Sequence, residues 1–262
     1  MSSGDWNPEL YRRFEDERTR PARELLGRVT LAAPKRVYDL GCGPGNSTEL
    51  LVERFAGAEV VGTDNSETML VSARERLPSC RFELGDIADW RPDAPADLIY
   101  SNAALQWVGG HEKLIPRLFA QLAPGGVLAI QMPDNRAEPT HRLMRELGSL
   151  APWSEWIDDA AKLRTEILTI ADYYDLLAPT AAEVDVWRTA YQHPMESAAK
   201  IVEWVRATGL KPFVDPLPDA QRQSFLTEYE TRIAQAYPKR GDGKLLLAFP
   251  RLFIVARRAG TA

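Results

Sequence analysis

The chain has 262 residues, 45% of them hydrophobic, with 32 Lys plus Arg against 37 Asp plus Glu and a formal net charge of −5. That length holds one large α/β domain, or a core with an elaborated cap, and the mild acidity, with no polybasic run, argues against a nucleic-acid partner or an anionic membrane, each of which needs a basic face. Cys42 and Cys80 form no CxxC pair, His111, His141 and His193 are scattered, no apolar run approaches the roughly 18–20 residues of a membrane helix, and the N-terminus lacks a basic stretch followed by an apolar one; the expectation is a cytoplasmic protein with neither disulfide nor metal.

From residue 36 to 132 short apolar runs alternate with helical patterns. Residues 36–40 read as a buried strand ending at a glycine loop, and 46–55 as the helix that follows. Residues 58–63 read as a second strand. The next helix spans 66–76, with Ser66 as its N-cap and Met69, Leu70 and Ala73 as its apolar stripe. Strands follow at 81–84 and 96–100, then a helix at 114–122. Pro124-Gly125-Gly126 then turns the chain into a strand at 127–132. Such alternation implies a doubly wound, mostly parallel sheet. Beyond it, residues 134–180 carry helical periodicity with Trp153 and Trp156, 182–191 alternate like a strand, and 196–237 are mainly helical. The last apolar run, 245–256, has no helix after it and suits a terminal strand folded back antiparallel. The expected organisation is one unit spanning 1–262. Its core is 30–135, and 1–29, 136–180 and 192–243 form a helical cap over the carboxyl edge of the sheet; no repeat or Gly/Ser linker divides it.

The most informative stretch is Asp39-Leu40-Gly41-Cys42-Gly43-Pro44-Gly45-Asn46-Ser47, between a strand and a helix. Its glycines let the backbone bend sharply and approach a ligand, which would meet the free N–H groups at the helix start. Three readings fit such a loop. It is a bare tight turn, a dinucleotide site, or a site for a cationic amino-acid cofactor. The dinucleotide fingerprint wants a third glycine where Asn46 stands, and Asp39 would repel a pyrophosphate. The ammonium of S-adenosylmethionine would instead be satisfied beside an acid. Gly41, Cys42, Gly43 and Asn46 are therefore candidate contacts, with Cys42 a small filler rather than a nucleophile.

Three further segments end strands. Asp64, with Asn65 beside it, follows the second strand, where a carboxylate can accept both ribose hydroxyls; the alternative is an ordinary surface acid. Asp86 and Ile87 follow the third, suited to an adenine amino group and ring. Asn102 follows the fourth, in the run 101–107 whose small residues leave room for a sulfonium and an acceptor. All four segments fall where open α/β sheets bind ligands.

Residues 39–132 resemble the class I S-adenosylmethionine-dependent methyltransferases in the D-x-G-x-G-x-G loop, the ribose acid, the Gly85-Asp86-Ile87 segment and the Pro-Gly-Gly turn. The resemblance implies a Rossmann-like, seven-stranded sheet whose last strand is antiparallel. Segments 6–11, 17–22, 102–107, 131–135, 138–141, 204–210 and 247–258 resemble, more narrowly, the trans-aconitate 2-methyltransferase family; residues 148–175 match no pattern. That resemblance implies monomethyl esterification of a small tricarboxylic acid. Other readings are an acyl-carrier-bound acid as acceptor, which would need a basic docking patch, a nicotinamide oxidoreductase, which Asn46 speaks against, and a silent cofactor-binding module.

An ionised carboxylate is already a nucleophile at neutral pH, so no general base is expected and no catalytic residue is named. A polyanion needs local cations, and arginine forks suit carboxylates. Arg18, Arg20 and Arg251 are the candidates, each with a solvated surface arginine as its alternative. Gln106 and Trp107 stand beside the presumed methyl site, and the alternative for Trp107 is a core aromatic. Tyr11 and Trp6 would close an N-terminal lid or simply anchor that segment, and His141 reads better as a satisfied structural histidine than as a carboxylate partner. A monomer with a small carboxylic acid as its only partner is expected.

Overall fold

The structure is a computed structural model, and it describes residues 15–161, 163, 166–206 and 209–260, with the backbone alone for 15–18. Its elements are α1 (Glu15–Gly27), β1 (Arg36–Leu40), α2 (Asn46–Arg54), β2 (Glu59–Asp64), α3 (Glu67–Arg76), β3 (Arg81–Leu84), β4 (Ala96–Asn102), a 3₁₀ turn (Leu105–Trp107), α4 (His111–Ala120), β5 (Leu122–Pro133), α5 (Pro139–Gly148), a 3₁₀ turn (Trp153–Glu155), α6 (Ile170–Leu177), β6 (Ala181–Met195), α7 (Ala198–Arg206), α8 (Lys211–Val214), α9 (Asp219–Ala236) and β7 (Leu245–Arg258). The strands form one seven-stranded sheet in the order β3-β2-β1-β4-β5-β7-β6. The pairs from β3 to β5 are parallel, and β7 runs antiparallel to β5. This is the doubly wound sheet with a reversed last strand that the sequence predicts.

The chain folds as two compact units, one of Asp16–Pro133, Glu166–Thr189 and the residues from Arg251 on, the other including Asp134–Thr165 and Ala190–Pro250. In the first, alternation along each strand sorts side chains to two faces. Tyr38, Leu40, Ile99, Leu128, Ile130 and Ile254 share a core with Leu114, Ile115 and Leu118 of α4 and with Tyr173 and Leu177 of α6. Each fully buried Leu or Ile there contributes on the order of 1.5–3 kcal/mol. So α6, within the stretch 136–180, packs into the core of the sheet. The opposite face buries Val37, Leu98 and Tyr100, and the Tyr100 hydroxyl donates to the Ala22 carbonyl of α1 at 2.7 Å.

One boundary moves for a local reason. β5 begins at Leu122 rather than 127, because Pro124-Gly125-Gly126 is a bulge inside the strand. Ala96 pairs with Leu122 and Leu98 with Val127, with the register shift between them. Gly125 takes φ +76, and a Cβ on Gly126 would stand 2.9 Å from the Ala96 and Ala123 carbonyl oxygens.

The second unit is mainly helical. Its core joins Leu143, Met144 and Leu147 of α5, Ile201 and Val205 of α7, Phe213 of α8, and Phe225, Tyr229 and Ile233 of α9. Tyr229 donates its hydroxyl to the Thr140 carbonyl at 2.9 Å, so its burial leaves no donor unmet. No helix among the described residues is long and apolar enough to cross a membrane. Nor does any group of three or more His, Cys, Asp or Glu among them have the arrangement to hold a metal ion.

Candidate active site

The loop after β1 is shaped by backbone geometry that only small residues meet. Gly41, Gly43 and Gly45 have φ of +73, +55 and +91, the left-handed region that a Cβ disfavours. Gly41 and Cys42 both donate their N–H to the Thr63 carbonyl, at 2.7 and 3.0 Å, which ties the loop to the end of β2. A Cβ on Gly41 would stand 2.1 Å from the Ala104 Cβ, whereas nothing lies within 4 Å of the corresponding point on Gly43. Gly41 is thus demanded by packing, and the loop is open above Gly43. Cys42 is buried, its Sγ lying 3.0 Å from where a Cβ on Gly62 would be, and burial drives its thiol pKa far up. Such burial suits a side chain that fills space.

Asp39 lies at the heart of this region and is fully buried. Its Oδ2 accepts from Ser47 and Thr48 of α2, each at 2.7 Å, and its Oδ1 has no partner. Burial raises its pKa to about 6, opposed by the two hydroxyls and reinforced by the charge of Asp64. Asp64 accepts from the Gly43 N–H on Oδ2 and the Ser66 N–H on Oδ1, both at 2.9 Å. Burial raises its pKa as well, and the backbone N–H groups of Gly43, Ser66 and Asn65 pull it back. Asn65 itself is exposed.

Strand register aligns these groups. Asp39 pairs with Gly62 and with Tyr100, Asn102 with Gln131, Gln131 with Phe253, and Pro133 with Arg251. Paired residues share a face, as do residues two apart on a strand. Asp64, Asp39, Asn102, Gln131 and Arg251 therefore project from one face, strung across the carboxyl ends of β2, β1, β4 and β5 and the adjoining part of β7. The sequence points to four of the five and misses Gln131.

The segment after β3 is braced by a residue that sequence reasoning also misses. Arg117 of α4 donates to the carbonyls of Trp90 at 2.6 Å, Ile87 at 2.7 Å and Ala88 at 2.9 Å. Burial and the neighbouring Arg91 charge lower its pKa. Asp86 is exposed and accepts from the Ala88 N–H at 2.8 Å, and Ile87 is buried, its Cδ1 3.4 Å from where a Cβ on Gly41 would stand.

After β4 the chain turns through Ala103, whose φ of +56 is rare for a residue with a Cβ. Gln106, buried, donates its amide to the Ala103 carbonyl at 2.6 Å and braces that turn, leaving Oε1 without a partner. His111 fixes the same turn from α4. Its Nε2 meets the Leu105 carbonyl at 2.9 Å, so Nε2 carries the proton and Nδ1 accepts from the Tyr173 hydroxyl at 2.5 Å. Both ring nitrogens are held by protein partners, the arrangement of a structural histidine. Trp107 is 48% exposed, too much for a core aromatic.

The remaining candidates fall elsewhere. Arg20 forms an exposed ion pair with Glu24 at 2.8 Å along α1. Arg18 is placed only by its backbone in α1, and Tyr11 and Trp6 lie outside the described residues. His141 is buried in the second unit with Nδ1 at 3.0 Å from the Thr140 hydroxyl, as a structural histidine would be. Arg251 is buried, not a surface arginine.

Residues 37–126 match the family model of a methyltransferase domain. Among solved structures, the YcgJ protein of Bacillus subtilis superposes with a TM-score of 0.61 at 13% identity, over 92% of this chain and 99% of that one, a likeness of fold. Among curated sequences, trans-aconitate 2-methyltransferase of Variovorax paradoxus (strain S110) is 71% identical over 97% of this chain and 98% of its own length. The enzyme of that name from Yersinia pestis (strain Pestoides F) is 56% identical over 96% and 98%. With a sheet, a glycine loop and strand-end acids of this kind, and relatives this close over nearly the whole length, the chain belongs to the S-adenosylmethionine-dependent trans-aconitate 2-methyltransferase family.

Proposed function

We propose that this protein transfers the methyl group of S-adenosylmethionine to a carboxylate of trans-aconitate, giving a monomethyl ester and S-adenosylhomocysteine, and that it works as a cytoplasmic monomer with no nucleic-acid or membrane partner. The observation that carries the reading is the file of polar groups on one face of the sheet, from Asp64 to Arg251, beside a glycine loop open above Gly43.

The residues fit the cofactor. Asp64, with Asn65 beside it, would hold the ribose hydroxyls, since its two oxygens keep lone pairs beyond those given to Gly43 and Ser66. The unpartnered Oδ1 of Asp39 suits an ammonium, with Gly41, Cys42, Gly43 and Asn46 supplying the loop that the amino-acid end passes. Asp86 and Ile87 would flank the adenine, and Asn102 the methyl end. When bound, S-adenosylmethionine supplies a methyl carbon made electrophilic by its sulfonium.

On the acceptor side Trp107, Arg251, Arg18 and Tyr11 would hold the acid. Gln106 serves there by fixing the turn from which Trp107 projects. An ionised carboxylate needs no base, so the task of these side chains is to align it. Positioning of this kind supplies roughly 7–11 kcal/mol. A labelled-methyl assay with trans-aconitate, cis-aconitate and citrate tests the reading. Label should pass fastest to trans-aconitate, at a rate flat from about pH 6 to 9, where an unperturbed carboxylate stays ionised. Transfer to none of the three acids overturns it. A steep limb near pH 7 would instead restore a titrating base to the mechanism.

A further inference from the structure

Gln131 is the most anomalous polar side chain on the sheet. It lies between Ile130 and Met132 in β5, all three fully buried, and both Nε2 and Oε1 of its amide are buried without a hydrogen-bond partner. A carboxamide held this way gives up its water and receives nothing from the protein, and a native fold tolerates that where a ligand completes it.

Its neighbours say what kind of ligand. Asn102 is its partner in register on β4 and shares its face, yet Asn102 Oδ1 is also buried and unpartnered, so the two amides do not satisfy each other. Opposite Gln131 on β7 stands Phe253, stacked on Trp187 with ring centroids 4.7 Å apart and planes 6° from parallel. That flank is an aromatic wall with nothing to offer an amide. One pleat along β7, Arg251 projects from the same face. At roughly 4.8 Å between strands, Gln131 stands about 14 Å across the sheet from Asp64, past the residues that would hold the sugar and the amino-acid end.

We infer that Gln131 is a specificity-determining residue that binds the reacting carboxylate of the acceptor, its Nε2 donating to the oxygen that does not attack, while Arg251 serves a second carboxylate of the same polyacid. This rests on the methyltransferase reading above and sharpens it. A neutral amide suits the reacting group because it orients a carboxylate without drawing off the electron density that an arginine fork would neutralise. A cation suits the carboxylates that only need to be held.

Gln131→Met, which keeps the length of the side chain and removes its amide, gives the test. In the ligand-free protein it should raise Tm by about 2–4 °C, because an unsatisfied buried amide has gone. Affinity for S-adenosylhomocysteine, read by calorimetry, should stay within twofold, and kcat/KM for trans-aconitate should fall at least 30-fold. Gln131→Glu, which sets a like charge against the acceptor, should fall further. A lower Tm together with weaker S-adenosylhomocysteine binding would make Gln131 a structural residue, and an unchanged kcat/KM would make it a tolerated flaw; either overturns the inference. If Gln131→Met does not melt cooperatively, Gln131→Asn, which restores an amide one methylene short, decides by the same three readings. Failure of the wild-type protein to methylate trans-aconitate would strike the underlying function instead, and it shows before any variant is made.

Discussion

The two flanks of the carboxyl edge are finished differently. On the β1–β2–β3 flank the carboxylate of Asp64 has two backbone donors, Asp86 has one, and the loop bearing Asp86 and Ile87 is clamped by three hydrogen bonds from Arg117. On the β4–β5–β7 flank Asn102 Oδ1, Gln106 Oε1 and both amide atoms of Gln131 lack partners. On the first flank Asp39 Oδ1 and Thr63 Oγ1 also lack partners, but the Asp64 carboxylate and the loop after β3 are braced by the protein itself, so little reorganisation would oppose a ligand there. The second holds polar atoms in a buried position unsatisfied, a state that burdens the fold and is relieved by a ligand. Substitutions should therefore split by flank, lowering both stability and cofactor affinity on one, and on the other lowering turnover while stability holds or rises.

The largest effect should come from the glycine loop, where Gly41 and Gly43 separate packing from ligand contact. Both have positive φ, so an alanine at either carries about 1–2 kcal/mol of left-handed strain, or some 2–8 °C in Tm for a protein of this size. Gly41→Ala also drives a methyl to 2.1 Å from Ala104 and should destabilise far more. Gly43→Ala meets open space, so the protein should fold yet bind S-adenosylhomocysteine at least 50-fold more weakly, because the new methyl occupies the cradle. Calorimetry of Gly43→Ala showing wild-type affinity would remove the glycine loop from the cofactor site.

The flank that was readable in the sequence is the one whose chemistry is local. A strand, a G-x-G-x-G bend and a helix start lie within a dozen residues, and Asp64, Asp86 and Asn102 announce themselves by standing at strand ends. The sheet and its antiparallel last strand were legible for the same reason, since alternation and run length are properties of short windows. What was not legible depends on register and on distant contacts. Arg117 clamps carbonyls 27 to 30 residues upstream, and nothing in its own helix distinguishes it from a solvated arginine. Gln131 looks like a tolerated polar residue in a strand until its neighbours Asn102 and Phe253 are known. The placement of α6 in the core of the sheet depends on the Tyr173–His111 contact, between residues 62 apart.

Arg117 sharpens the contrast with a smaller effect. Gly43→Ala would obstruct the ligand directly, whereas Arg117→Met would only loosen the segment after β3, where the proposed reading puts the adenine. Three carbonyls would lose a charged donor, and the loop from Ile87 to Trp90 would sample other forms. Affinity for S-adenosylhomocysteine should fall about tenfold, a loss of about 1.4 kcal/mol, while KM for trans-aconitate at saturating cofactor stays within twofold. The preference for the adenine ligand over its 6-oxo analogue should shrink in parallel, because Asp86 would no longer be held to accept from the exocyclic amine. An undiminished preference would mean that the clamp supports the fold and not base recognition.

The smallest signal, a fraction of a proton, comes from Asp39, whose buried Oδ1 has no partner. Its pKa is about 6 in the folded protein against an ordinary value of 3.8. Between those values the folded state binds more protons than the unfolded one, so this group makes stability fall as pH rises from about 4 to about 6 and adds no slope above. Two units correspond to at most ~3 kcal/mol, and Asp39→Asn should flatten the apo stability profile across that window. An ammonium placed against Oδ1 favours the ionised form. Binding of S-adenosylhomocysteine at pH 5.5 should therefore release a fraction of a proton, measured by calorimetry in two buffers of different ionisation enthalpy, and Asp39→Asn should abolish the release. The ribose offers Asp64 no charge, so its raised pKa adds little to the signal. Proton uptake in the wild-type protein, or a release that survives Asp39→Asn, would place the ammonium elsewhere and would leave Asp39 as a brace for the first turn of α2 through Ser47 and Thr48.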